Sequence, residues 1–284
     1  MFNTPTLRDK AMTITLKLSM YRPTKTDRQK TSDLCVKEGT NKYRVTKALL
    51  ANCAELKEAR SAYNALASYV RDNTLPWCDD GKRLLPNASY FDFANHVGEL
   101  KNKANQAVET LYKKWDQLVA EDIASFGLNG DPNDYPSADE MLSRWGIRTR
   151  FEPISSSEDF RVDMSEEDRK EMEEEYSKAI SDSSEYLLGE LLTPIKKMVE
   201  TLSMPEDQRG KRWFESSLVG NIKDICCRAR KLNINNDPRI EEICTQAEGI
   251  ICGVTASDLK EDGEIRDLVS SEMQEVENKL SQWF

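Results

Sequence analysis

Near the amino terminus Ile14, Leu16, Leu18 and Met20 alternate with Thr13, Thr15, Lys17 and Ser19, the period-two pattern of a strand with one buried face. Pro23 ends it. From about Asp27 the spacing turns helical, with a first segment to near Gly39 and a second from about Lys42 to Asp72. In the second, Val45, Leu49, Leu56, Ala59, Tyr63, Leu66 and Val70 recur at three- and four-residue steps, and Asn52 alone breaks the seam. A polar residue at one such position fixes register in long helical pairs. Thr74–Asn87 reads as a turn-rich connector. After it Phe93, Val97, Leu100, Ala104, Ala107, Leu111, Trp115 and Leu118 carry the same spacing to about Phe126. Two helices of about 30 residues, each ~45 Å long, joined by a short loop, predict an antiparallel hairpin.

Leu128–Tyr135 contains Asn129-Gly130-Asp131-Pro132, a loop by composition. Ser137 and Glu140 have capping-box spacing and predict a short helix ending near Gly146. Strands are expected over residues 148–154 and 159–164, with Ser155–Ser157 turning between them. The amino-terminal strand, about 12–20, is their expected third member, because a lone two-stranded hairpin is marginal in water. Ser165, with Asp168 three residues on, caps a long helix to about Ser203 that Pro194 should kink or split. Three helices follow: Trp213–Leu232, one opened by Asp237 as N-cap with Pro238 at its first position, and one carrying Ile265 to Trp283. The predicted fold is mostly α. It has a long antiparallel helical hairpin, a C-terminal helical bundle and a small antiparallel β element at about 12–20, 148–154 and 159–164. The expected division is 1–164, the hairpin with its β element, and 165–284, a C-terminal helical region packing on it.

Composition sharpens this picture. Of 284 residues 32% are charged and only 38% hydrophobic, with 12 glycines and 10 prolines, which excludes collagen-like and Gly-rich architectures. No stretch approaches the ~18 apolar residues of a membrane span. The net charge of −10 is unevenly spread: residues 1–76 hold 14 Lys/Arg against 7 Asp/Glu, whereas 155–190 hold 13 acids and 4 bases. Such runs are usually solvated faces, but opposite ends can also steer one copy onto another. Seven cysteines form no CxxC pair, and Lys10, Lys17 and Arg22 interrupt any apolar leader. A reducing cytoplasm is expected.

The search for chemistry is short. One histidine, His96, excludes paired-histidine metal motifs, and no phosphate-cradling or nucleophile-elbow glycine pattern occurs. Cys226, Cys227, Cys244 and Cys252 lack the spacing of a structural metal site, and two of them are adjacent on one helix. The expectation is no enzyme, no cofactor and no metal. The basic region is the strongest surface signal: Lys25, Arg28, Lys30, Lys37, Lys42, Arg44 and Lys47 fall in one predicted helical stretch and could meet phosphates. Only Tyr21 and Tyr43 lie near as stacking platforms for single strands.

Several phrases follow one another in order: L-P-W-x-D-x-G-x-R-L-L-P (Leu75 to Pro86), Y-F-D-F (Tyr90 to Phe93), Y-P-S-x-D-E (Tyr135 to Glu140), D-F-R-V-D (Asp159 to Asp163) and L-N-I-x-x-D-P (Leu232 to Pro238). Over nearly the entire chain this resembles a family of tailed-bacteriophage and prophage proteins classed as a domain of unknown function. The resemblance implies a phage early or accessory protein with neighbouring genes for a MoxR-type AAA+ ATPase and a von Willebrand A-domain protein. It implies no catalytic residues. Its recurrent residues Trp77, Asp79, Gly81, Arg83, Tyr90, Phe91 and Asp163 suit a structural or docking role, with Arg83 expected to pair with Asp79 or Asp163 and Trp77 to pack under Leu84 and Leu85. The expected function is protein–protein interaction or self-assembly in the infected host's cytoplasm. The partner would be a second copy or another phage or host protein such as that ATPase, with no membrane involved; DNA or RNA binding through the basic region is the alternative.

Overall fold

The computed structural model describes residues 7–77, 81–154, 165–205 and 217–284. The protein is mostly helical with a small antiparallel sheet. It divides into two compact units that interleave along the chain: one takes residues 1–14, 73–90 and 151–284, the other 15–72 and 91–150. The expected cut between 164 and 165 falls inside the first unit, beside a stretch outside the described residues.

After a single helical turn, α1 (Leu7–Lys10), the predicted strand is β1 (Ala11–Ser19). Its neighbours come from two places, because the larger sheet has the order β4-β5-β1-β6. Strand β6 (Gly146–Pro153) matches the predicted segment at 148–154. The expected partner at 159–164 lies outside the described residues. Strands β4 (Leu75–Pro76) and β5 (Lys82–Pro86) are a correction: the connector is an antiparallel hairpin with Leu75 opposite Leu84. Gly81 supplies the turn, at φ +80°, a backbone shape that side-chain-bearing residues rarely adopt.

The second correction concerns residues 42–53. In place of one helix from Lys42 to Asp72, the chain forms β2 (Thr24–Thr26), α2 (Arg28–Glu38), β3 (Thr46–Ala48) and then α3, which starts only at Ala54 and ends at Asp72. Strand β3 pairs antiparallel with β2, Lys25 opposite Lys47. Leu50 then takes φ +52°, which no helix interior allows. Leu49 and Leu50 are buried all the same, so the apolar spacing was met by a strand and a turn. Asn52 sits in that turn and sets no helical register. Helix α3 is 19 residues, about 29 Å. Its successor breaks at Lys114 into α4 (Tyr90–Lys113) and α5 (Trp115–Ser125).

Within the second unit, Tyr21, Leu50, Leu56, Ala59, Tyr63, Ala104, Leu111, Trp115, Met141 and Trp145 form one buried cluster. Tyr21 meets Trp115 edge-on at 5.5 Å and Tyr63 meets Trp145 at 4.9 Å. Helix α6 (Ala138–Ser143) begins as predicted, the Ser137 hydroxyl accepting from the Glu140 amide.

Within the first unit, α7 (Glu166–Leu202) opens at the predicted cap Ser165 and runs 37 residues straight through Pro194 as a continuous helix, neither split nor ended there. Helix α8 (Ser217–Leu232) packs on it, and the start expected near Trp213 falls outside the described residues. Helix α9 (Pro238–Ile250) is capped by Asp237 as predicted. A short α10 (Ala256–Glu261), unforeseen, is opened by a Thr255–Asp258 capping box. Helix α11 (Gly263–Ser281) packs on α7 and α9. Leu188, Leu191, Ile195, Ile222, Ile243, Ile251, Met273 and Leu280 are central to this unit's core.

Candidate functional site

The basic residues expected in one helical region lie instead on three consecutive elements of the second unit and the loop between the last two. Lys25 is on β2, Arg28, Lys30 and Lys37 on α2, Lys42 and Arg44 on the following loop, and Lys47 on β3. Over residues 22–48 there are 8 Lys/Arg against 3 Asp/Glu. Helix α2 is unusual in burying no residue at all. It is held at its ends and by two contacts to the following loop. The Asp27 carboxylate accepts from the Lys30 amide at 2.9 Å, and Gly39, at φ +62°, returns its amide toward Cys35 and Val36. These are a full N-cap and a left-handed C-cap. The Thr31 hydroxyl accepts from the Val45 amide at 2.9 Å, and the Cys35 thiol donates to the Tyr43 carbonyl at 3.6 Å.

Part of this charge is already used internally. Lys25 and Lys47 stand opposite each other across the ladder, a repulsive placement. The Lys47 ammonium reaches Asp134 at 2.8 Å and the Asn129 carbonyl at 3.2 Å, and the bond to Asp134 raises its pKa. The Asp131 carboxyl is held below its ordinary range, first by the Asn133 amide and then by Lys47 and Lys25. Arg44 donates two bonds to the Thr26 hydroxyl. Arg28, Lys30, Lys37 and Lys42 are exposed and form no ion pair among the described residues. Two apolar side chains share their surface, Val36 at 80% and Tyr43 at 46% exposure.

The recurrent motif residues occupy a different place. Arg83 on β5 donates to the Thr74 hydroxyl at 2.6 Å and the Thr74 carbonyl at 2.7 Å, just ahead of β4. Its expected partners Asp79 and Asp163 lie outside the described residues. Trp77 is partly buried against the cluster that contains Leu84, with its ring 5.6 Å from that of Tyr176 on α7. Tyr90 meets Phe151 edge-on at 5.3 Å, and Phe91 is 78% exposed. Trp77, Gly81 and Arg83 therefore share one hairpin.

The sequence reading missed a polar cleft of about 470 Å³ in the second unit, lined by Leu50, Cys53, Glu55, Lys114, Gln117 and Asp122 among others. Asp122 accepts from the Leu50 amide at 2.6 Å and the Tyr135 hydroxyl at 2.7 Å, while Glu55 and Lys114 pair at 2.8 Å. The Cys53 thiol accepts from the Leu56 amide at 3.4 Å. Burial raises its pKa, so it stays protonated near neutral pH and is a poor nucleophile. No short-range signal marks this cleft, since Asp122 lies 72 residues from Leu50.

Other candidates stay apart. Cys226 and Cys244 are buried neighbours on α8 and α9, whereas Cys227 and Cys252 are exposed. Contact with Cys244 and burial push the Cys226 thiol well above its ordinary range. His96 pairs with Glu99 at 3.3 Å and tilts against Tyr69. Among the described residues no three His, Cys, Asp or Glu side chains converge as a metal site, and no helix is long and apolar enough to cross a membrane.

Comparison of the chain with protein-family models, with curated proteins and with solved structures found no match in any of the three.

Proposed function

We propose that this is a docking protein without catalytic activity, cofactor or metal, which binds another macromolecule through the basic β2–α2–β3 module. In this reading the α3–α4 pair is a short helical hairpin supporting the module, and α7, α8, α9 and α11 act as a bundle. The setting is the cytoplasm of an infected bacterial cell. The partner is a second copy or another phage or host protein, with a MoxR-type AAA+ ATPase among those the sequence resemblance brings in.

The observation that carries the reading is the thinly packed α2, in which no residue is fully buried and only Thr31, Leu34 and Cys35 are half-buried. Most helical stability in proteins comes from packing one face, and isolated helices under about 12–15 residues are marginal in water. An 11-residue helix with no fully buried residue gets little of that contribution, yet both its ends are capped. A surface that completes its packing supplies what the single chain leaves out. Immobilised protein tests this: wild type is expected to retain a partner that the Arg28→Glu, Lys30→Glu, Lys37→Glu, Lys42→Glu variant loses. Equal retention by both would remove the module from the binding surface.

One observation favours a second reading, nucleic-acid binding: these four exposed bases form no ion pair among the described residues. Phosphate contacts would make affinity fall steeply with salt. A low-salt gel shift with single- and double-stranded DNA discriminates. A shift abolished by the same four substitutions would favour nucleic acid over a protein partner.

A further inference from the structure

We infer that the partner of α2 is a second copy of this chain, which receives the helix in the groove between α9 and α11. This rests on the docking reading above and names its occupant. The groove, of about 750 Å³, has an apolar floor of Gly249, Ile250 and Val276 and a wall carrying Glu272 and Glu275. A side chain added at Gly249 would find nothing within 4 Å, so the backbone there lies open to an approaching helix, with Val276, 4% exposed, at the bottom of the groove. Leu268, 59% exposed, sits one turn before Glu272 on the same face of α11 and lengthens the apolar track.

Helix α2 has the complementary relief. Val36, the most exposed residue of its apolar set at 80%, tops a ridge that includes Gln29 and Ser32. Lys30 and Lys37, two turns apart and about 10.5 Å along the axis, flank one side of that ridge, and Arg28 flanks the other. Laying Val36 on Ile250 and Val276 brings Lys30 and Lys37 to the glutamate wall. That is the helix-in-groove mode of recognition, with one apolar anchor, Val36, and a charged rim. The unfavourable charges are few. Asp33 lies beside Val36 on α2, and Lys279 of the groove is already paired with Glu242. The two surfaces are different patches of one molecule, so the contact is heterologous and propagates head to tail into rings or short filaments.

Charge exchange tests it. Sedimentation velocity of the full chain at low salt is expected to show concentration-dependent self-association that weakens as salt is raised. The Lys30→Glu/Lys37→Glu variant and the Glu272→Lys/Glu275→Lys variant, each confirmed folded by circular dichroism, should be monomeric alone and associate again when mixed. A monomeric wild type, association that survives either exchange, or a mixture that stays monomeric overturns the inference. A monomeric wild type that still needs Lys30 and Lys37 to retain a partner removes only the second copy as occupant. Loss of that requirement as well removes the docking reading itself.

Discussion

The Asp122 carboxylate joins three pieces of chain: it lies on α5, and accepts from the Leu50 amide and from the Tyr135 hydroxyl. Hydrogen bonds to a charged group contribute about 1.5–3 kcal/mol each, and this one also holds Leu50 at a positive φ. Asp122→Ala is therefore expected to lower unfolding stability by about 2 kcal/mol or more in urea titration; an unchanged midpoint would show that the turn holds itself. Burial, then the bond to Asp122, pushes the Tyr135 phenol far above its ordinary value of 10.0. A phenol whose folded pKa is raised adds stability that is fully present below pH 10 and lost as pH climbs toward the folded value. The alkaline loss of stability should thus be shallower in Tyr135→Phe than in wild type, and equal slopes would count against the assignment. At this scale the sequence was informative wherever a side chain acts on its own next few residues. Asp27, Gly39, Ser137, Ser165 and Asp237 all cap where their neighbours imply. Asp122 and Leu50 were silent because their partnership spans 72 positions.

Helix α2 and helix α7 show opposite limits of an element's stability. Caps are worth about 1 kcal/mol each, a large share for α2, which has no fully buried residue. Asp27→Ala with Gly39→Ala should melt α2, seen as loss of helical amide signals over residues 28–38, while the thermal midpoint of the whole chain hardly moves. A matching fall in both would mean that α2 is integral to the core. Helix α7 tolerates Pro194 because Leu191, Ile195, Met198 and Val199 around it are buried, and core packing outweighs the local cost. Replacing a mid-helix proline removes a penalty of up to about 3 kcal/mol, so Pro194→Ala should raise the thermal midpoint; a fall would show that the local geometry there is required. Helix ends were harder to read than helix existence. The stretch from Lys42 to Cys53 has helical spacing, but its buried Leu49 and Leu50 serve a strand and a turn. The β4–β5 hairpin was hidden because a two-residue strand is too short to display a period.

For the molecule as a whole, composition indicated a mostly helical protein with a basic amino-terminal third, and that much is present. It could not show that Lys47 is paired with Asp134, while Lys25, Arg28, Lys30, Lys37 and Lys42 are exposed with no ion pair among the described residues. That distinction depends on folding, since Lys47 and Asp134 are 87 residues apart. The same distinction limits any polyanion reading to the few exposed bases of this module and a correspondingly modest salt slope. Amide hydrogen exchange across residues 28–38, compared between dilute protein and protein saturated with its partner, probes the proposed role of α2 without any substitution. In dilute protein these amides should exchange far faster than those of α3, and become protected on binding while α3 stays unchanged. Protection of α2 equal to that of α3 in the dilute chain, or no gain on binding, would mean that the helix is complete by itself and docks nothing.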